Sequence, residues 1–174
     1  PLPLNASCWV EDAGVGQLYV RLRGAVAAVD AACKSMGGTR LDNATAAPDW
    51  QACREQTLPW FAARLARPGQ ALWRLSLPAT APVLALPGGV SPLVEWHGAL
   101  RWVQAPLAHG DVLREAARAV GGSASLFIAD GAGGERAGGQ FDLKSAALEQ
   151  IHARLKHSFD PAGIFNPGRM APQW

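Results

Sequence analysis

Two places in this chain put hydrogen-bond donors where an anion could be held. In Leu72-Trp73-Arg74-Leu75-Ser76-Leu77-Pro78, side chains two apart share one face of a strand, so Arg74 and Ser76 stand beside Leu72. A guanidinium fork and a hydroxyl on one face can hold a carboxylate or phosphate through paired hydrogen bonds. The same arginine could instead pair with a neighbouring carboxylate on a solvent-facing strand. The second place is the tail, where Asn166 and Arg169 each follow a turn. Asn166 offers a donor and an acceptor, and Arg169 a fork of donors. In the plainer alternative, Asn166 only caps its own turn before Pro167 and Arg169 is solvated. No residue stands out as a catalyst.

Other combinations have less support. Glu95 and His97 are two apart and could begin a metal site. His97 falls at an expected hairpin turn, however, and His109, His152 and His157 are dispersed, so no metal site is expected. The glycine run Gly131–Gly139 follows an expected strand, but Glu135 and Arg136 interrupt it and no helix opens directly from it. That pattern suits a connection better than a phosphate cradle. No Ser–His–Asp or Cys–His set has supporting context. Cys8, Cys33 and Cys53 show no CxxC spacing. An odd number without pairing logic points to a reducing compartment, and it argues against a protein-held iron–sulfur cluster.

The elements that must position these residues follow from periodicity and breakers. Strands are expected at 5–11 and 17–23, where Leu18, Val20 and Leu22 alternate with Tyr19, Arg21 and Arg23. A helix over 25–36 ends at Gly37-Gly38, and a short strand is expected at 39–42. Asp49 reads as the N-cap of a helix running to about Ala66. Further strands are expected at 72–77, 92–96, 99–104 and 123–128, with helices at 109–120 and 142–158. A hairpin, a helix ending in Gly-Gly and then a strand occur at 5–42 and again at 91–128. Two such units make a ferredoxin-like doublet. The expected class is α+β: an antiparallel sheet with helices mainly on one face, the other free to pack on a second domain.

Composition narrows the possibilities. Apolar residues make up 49% of the 174, as in a chain that folds around a core. The net charge of +2 is spread along the chain, which argues against a nucleic-acid footprint. No apolar run approaches a membrane span. Pro1-Leu2-Pro3-Leu4 opens without an initiator methionine, which reads as an excised piece of a longer protein.

The tail Phe159-Asp160-Pro161-Ala162-Gly163-Ile164-Phe165-Asn166-Pro167-Gly168-Arg169-Met170 is a series of breakers around apolar anchors. It resembles the C-terminal signature of FAD-linked oxidases of the vanillyl-alcohol-oxidase type. Leu72–Pro78 is similar to a second motif, found in the FAD-binding subunit of glycolate oxidase. The resemblance implies a cap domain over residues 1–158 and a strap over 159–174 that docks on a separate FAD-binding domain of the parent chain. It implies FAD bound by the parent protein but not by this portion, with Asn166 and Arg169 as flavin contacts and Arg74 as a substrate contact. It also implies a catalytic flavin subunit and an iron–sulfur subunit as partners, oxidation of glycolate to glyoxylate, and a cytoplasmic location, peripheral to the inner membrane through the complex. The histidine-rich metal motif of the catalytic subunit is missing here.

Two other classes stay open: a stand-alone ferredoxin-like binding module, and a non-catalytic assembly subunit. Phe159, Ile164 and Phe165 are expected to pack on the body of the domain, so that truncation after Ser158 would lower its melting temperature.

Overall fold

The computed structural model describes residues 2–129, 142 and 145–168. Six strands form one antiparallel sheet: β1 (Leu4–Asp12), β2 (Val15–Leu22), β3 (Gln70–Ser76), β4 (Leu93–Glu95), β5 (Leu100–Pro106) and β6 (Ser123–Ile128). Their order is β2-β1-β4-β5-β3-β6. The helices are α1 (Val26–Met36), α2 (Asn43–Glu55), α3 (Pro59–Ala62), α4 (Gly110–Ala119) and α5 (Ala146–Phe159). The class is α+β, as expected. Because β5 and β6 both run antiparallel to β3, which lies between them, they are parallel to each other and α4 joins them as a split βαβ unit.

Alternation along β3 builds two cores. Ala71, Trp73 and Leu75 point to one face, where they meet Val103, Ala105, Ala124, Leu126 and the α4 residues Leu113 and Ala117. Leu72 points to the other, with Leu93, Leu100, Trp102, Cys8, Cys53 of α2 and Phe61 of α3. The helices therefore divide. The middle of the sheet carries α2 and α3 on one face, and the β3–β6 end carries α4 on the opposite face. Buried Arg101 reaches that second face and donates to the carbonyls of Ala81 and Pro82 at 2.8 and 2.7 Å, pinning the proline-rich connection over it.

Two local expectations are corrected. No strand forms at 39–42, and Asp49 caps nothing. The cap is Asp42, whose carboxylate accepts from the Thr45 amide at 2.9 Å and from its hydroxyl at 2.8 Å. This double anchor starts α2 upstream of Pro48, which sits inside the helix. The helix then stops at Gln56, in a left-handed conformation, and α3 restarts with Pro59 at its first position.

The tail also departs from expectation. Phe159, Ile164 and Phe165 are 84, 69 and 62% exposed, so they do not pack on the body. No residue of α5 is buried, and Leu148, Ile151 and Leu155 are also open to solvent. Leu148, Ile151 and Leu155 form an apolar stripe along this helix. It continues into the strap and has no partner among the described residues.

Candidate functional site

Arg74 lies opposite Trp102 on β5 and Ser125 on β6, on the same face as Leu72 and Ser76. Its Nη1 donates to Ser76 Oγ at 2.7 Å, so the pair shares a face as its spacing requires. The β4–β5 turn adds a residue that spacing does not suggest. Trp96, His97 and Gly98 all have positive φ, at 51, 54 and 98°. That sharp turn brings the exposed Trp96 ring over Arg74, 5.6 Å from the guanidinium carbon to the ring centroid. Arg74 is thus held between a hydroxyl and an aromatic face and is partly open to solvent. No acidic partner of Arg74 occurs among the described residues. Ser76 leaves donors free, so the geometry suits an incoming anion.

Glu95 and His97 part company at the same turn. Glu95 accepts from Trp102 Nε1 at 2.6 Å and from Cys53 Sγ at 3.0 Å, on the α2–α3 face. His97 meets Ser7 instead: its amide donates to Ser7 Oγ at 2.9 Å and its Nδ1 lies 3.1 Å from the same oxygen. Each residue has a structural partner on a different side, and no metal-binding group of three forms among the described residues.

The strap is shaped by its own residues. Asp160 accepts from the amides of Ile164 and Phe165 at 3.0 and 2.9 Å. Lys156 donates to Asp160 and, at 2.6 Å, to the Phe165 carbonyl. Lys156 beside it, with those two amides, holds the Asp160 carboxyl below the ordinary aspartate range. The sequence shows Lys156 and Asp160 at helical i,i+4 spacing, a signal that could identify them as the strap's organisers. The clamp leaves Asn166 exposed, in a left-handed turn at φ 48°, with no partner among the described residues. Arg169 lies outside the described residues, as does the Gly131–Gly139 run. Among the described residues, no hydrogen bond or ring contact joins Arg74 to the strap.

An open cleft of about 350 Å³ lies over the β2–β1–β4 end of the sheet, on the same face as α4, which covers only the β3–β6 end. Trp9, Leu18, Val20, Val94 and Met36 line it, and no arginine or lysine does. Such a lining does not fit the pyrophosphate of FAD, which needs cations or convergent backbone amides. Asn166 keeps an exposed amide donor and acceptor, the kind of group that could meet a planar polar ring edge. No described helix is long and apolar enough to cross a membrane.

Over 170 residues the chain is 41% identical to the glycolate oxidase subunit GlcE of Escherichia coli (strain K12). The match takes in 98% of this chain and 42% of that protein, so the chain spans less than half the length of the curated relative. No family model matches the chain, and no solved structure matches it. The resemblance carried by Leu72–Pro78 and the tail thus extends over nearly the whole sequence.

Proposed function

We propose that this relative of GlcE is the cap portion of such a glycolate oxidase subunit and works against an FAD-binding domain elsewhere in the parent protein. The observation that carries the reading is the 41% identity over 98% of the chain. More than half of the relative has no counterpart here, which leaves room for a domain that holds FAD. Bound there, FAD would take up the two electrons released when glycolate becomes glyoxylate. A catalytic flavin subunit and an iron–sulfur subunit would complete the assembly, in the cytoplasm or peripheral at the inner membrane.

This chain's own residues would shape the docked state. The apolar stripe Leu148, Ile151 and Leu155, continued by Phe159, Ile164 and Phe165, would seat on the FAD-binding domain. That contact would exclude water from the flavin's edge. Asn166, presented by the Asp160–Lys156 clamp, would hydrogen-bond the ring edge, and Arg169 would answer an anionic flavin or a partner's carboxylate. Arg74 with Ser76 would orient a carboxylate. A stand-alone binding module would have no use for an unpartnered apolar tail.

The test is expression of the full-length protein with its partner subunits, reading glycolate-dependent dye reduction and flavin content. The expected result is activity that needs this subunit and a flavin that copurifies with the full-length chain. Full activity without the subunit would overturn the reading. A full-length chain with no flavin absorbance, in an active complex that depends on it, would favour an assembly subunit. The 174-residue chain alone should be colourless; one equivalent of tightly bound FAD would contradict the division of labour.

A further inference from the structure

The three cysteines have no sequence spacing that pairs them, yet the fold brings two together. Cys8 of β1 and Cys53 of α2 are both 5% exposed and lie in one core cluster. Glu95 joins them: it sits directly opposite Cys8 in the β1–β4 ladder, and its Oε1 accepts from Cys53 Sγ at 3.0 Å. Both thiols therefore lie beside the Glu95 carboxylate in one buried cluster. The neighbouring Cys53 thiol lowers Cys8 below its ordinary value, against burial and the Glu95 carboxylate, which both raise it. Cys53 is pushed far up by the neighbouring Cys8, by burial and by Glu95, so it keeps its proton. Cys33, on α1 and half-buried, is not part of this cluster.

We propose that Cys8 and Cys53 form a reversible intramolecular disulfide, a modification site for a small two-electron oxidant of the peroxide class. The burial of both sulfurs selects for an oxidant the size of hydrogen peroxide over a bulky disulfide. The Cys8 thiolate attacks one peroxide oxygen and the O–O bond breaks. The departing hydroxide takes the proton Cys8 had lost and leaves as water, with Cys8 as a sulfenic acid. Cys53 sulfur then attacks Cys8 sulfur. Its proton passes by way of Glu95 to the departing hydroxide, giving a second water. Two thiols are oxidised by two electrons and one peroxide is reduced to two waters. The product ties α2 covalently to β1, beside the β4–β5 turn that carries Trp96. A bridge across so long a stretch of chain restricts the unfolded state strongly.

The experiment uses the purified 174-residue chain, reduced and then exposed to excess hydrogen peroxide. It is acid-quenched, unfolded, alkylated and mapped by mass spectrometry. The expected result is a Cys8–Cys53 peptide pair two hydrogens lighter, with neither cysteine alkylated and the bridge reversed by dithiothreitol. A Cys33→Ser variant should bridge equally, and the bridged chain should melt several degrees above the reduced one. The proposal is overturned if Cys8 and Cys53 remain alkylatable after excess peroxide. A bridge that instead involves Cys33, or oxygen added to either sulfur without cross-linking, would overturn it too.

Discussion

Asp160 is the residue on which the tail's local shape depends most, because it receives two backbone amides and the Lys156 ammonium at once. Its carboxyl is held below its ordinary value, near 3.8, so its charged form is favoured in the folded turn. For a depressed carboxyl the stabilisation is present above the ordinary value and lost as pH falls through the folded one. Amide exchange should therefore show Ile164 and Phe165 protected at neutral pH and unprotected in strong acid. Asp160→Ala should remove that protection at every pH; protection that survived the substitution would show that the clamp does not hold the turn. Glu95 carries a comparable role inside the domain. Glu95→Ala leaves the indole N–H of buried Trp102 and the thiol of Cys53 without their acceptor. The expected cost is about 1–3 kcal/mol in urea unfolding. At the sequence level only the i,i+4 spacing of Lys156 and Asp160 hints at the first role, and Glu95 reads as half of an unconvincing metal pair with His97. Partners brought in from other elements decide the role of Glu95, and spacing along one strand cannot reveal it.

Among the elements, those with strong alternation are the most legible. The strands expected at 72–77 and 123–128 appear as β3 and β6 within a residue or two, because each is apolar on a face that a helix or loop covers. The stretch 39–55 misleads, since Pro48-Asp49 resembles a helix start while the working cap is Asp42. The pair Gly121-Gly122 does end α4, as its sequence suggests, but the stop is only half of its purpose. Gly121 supplies the positive φ, at 79°. Gly122 permits close approach: a Cβ there would lie 2.6 Å from the Ser76 carbonyl oxygen and nearer still to Leu77 Cδ2. Backbone oxygen cannot yield as a flexible side chain can. Gly122→Ala should thus shift β3 against α4 and lower stability by about 1–3 kcal/mol. Gly37→Ala, with a positive φ but no atom within reach of its Cβ, should cost only the conformational strain of about 1–2 kcal/mol. Equal melting temperatures for Gly122→Ala and the parent chain would contradict this account of the α4–β3 junction.

At the scale of the molecule, the tail's turns can be read from proline, glycine and asparagine, but its docking cannot. The anchors Phe159, Ile164 and Phe165 look like core residues by type, and their exposure shows that the body offers them no seat. This separates two effects of truncation after Ser158 that the sequence alone would merge. In the 174-residue chain the described part of the removed segment buries only Asp160, so the melting temperature should change by less than about 2 °C, the shift that roughly half a kcal/mol to 1 kcal/mol produces at this size. In the full-length protein the same truncation should strip the seat between cap and FAD-binding domain, with loss of flavin retention and of glycolate-dependent electron transfer. Asn166→Ala and Arg169→Ala make the finer distinction, because they spare the apolar anchors and remove only polar contacts. Each should weaken flavin retention or complex activity while the cap melts as before. If both left flavin content and electron transfer unchanged while the truncation abolished them, the strap would act only as a mechanical clamp. If the truncation itself changed nothing in the full-length protein, the exposed stripe would serve some other surface, and the assignment of the tail to the flavin side would fall.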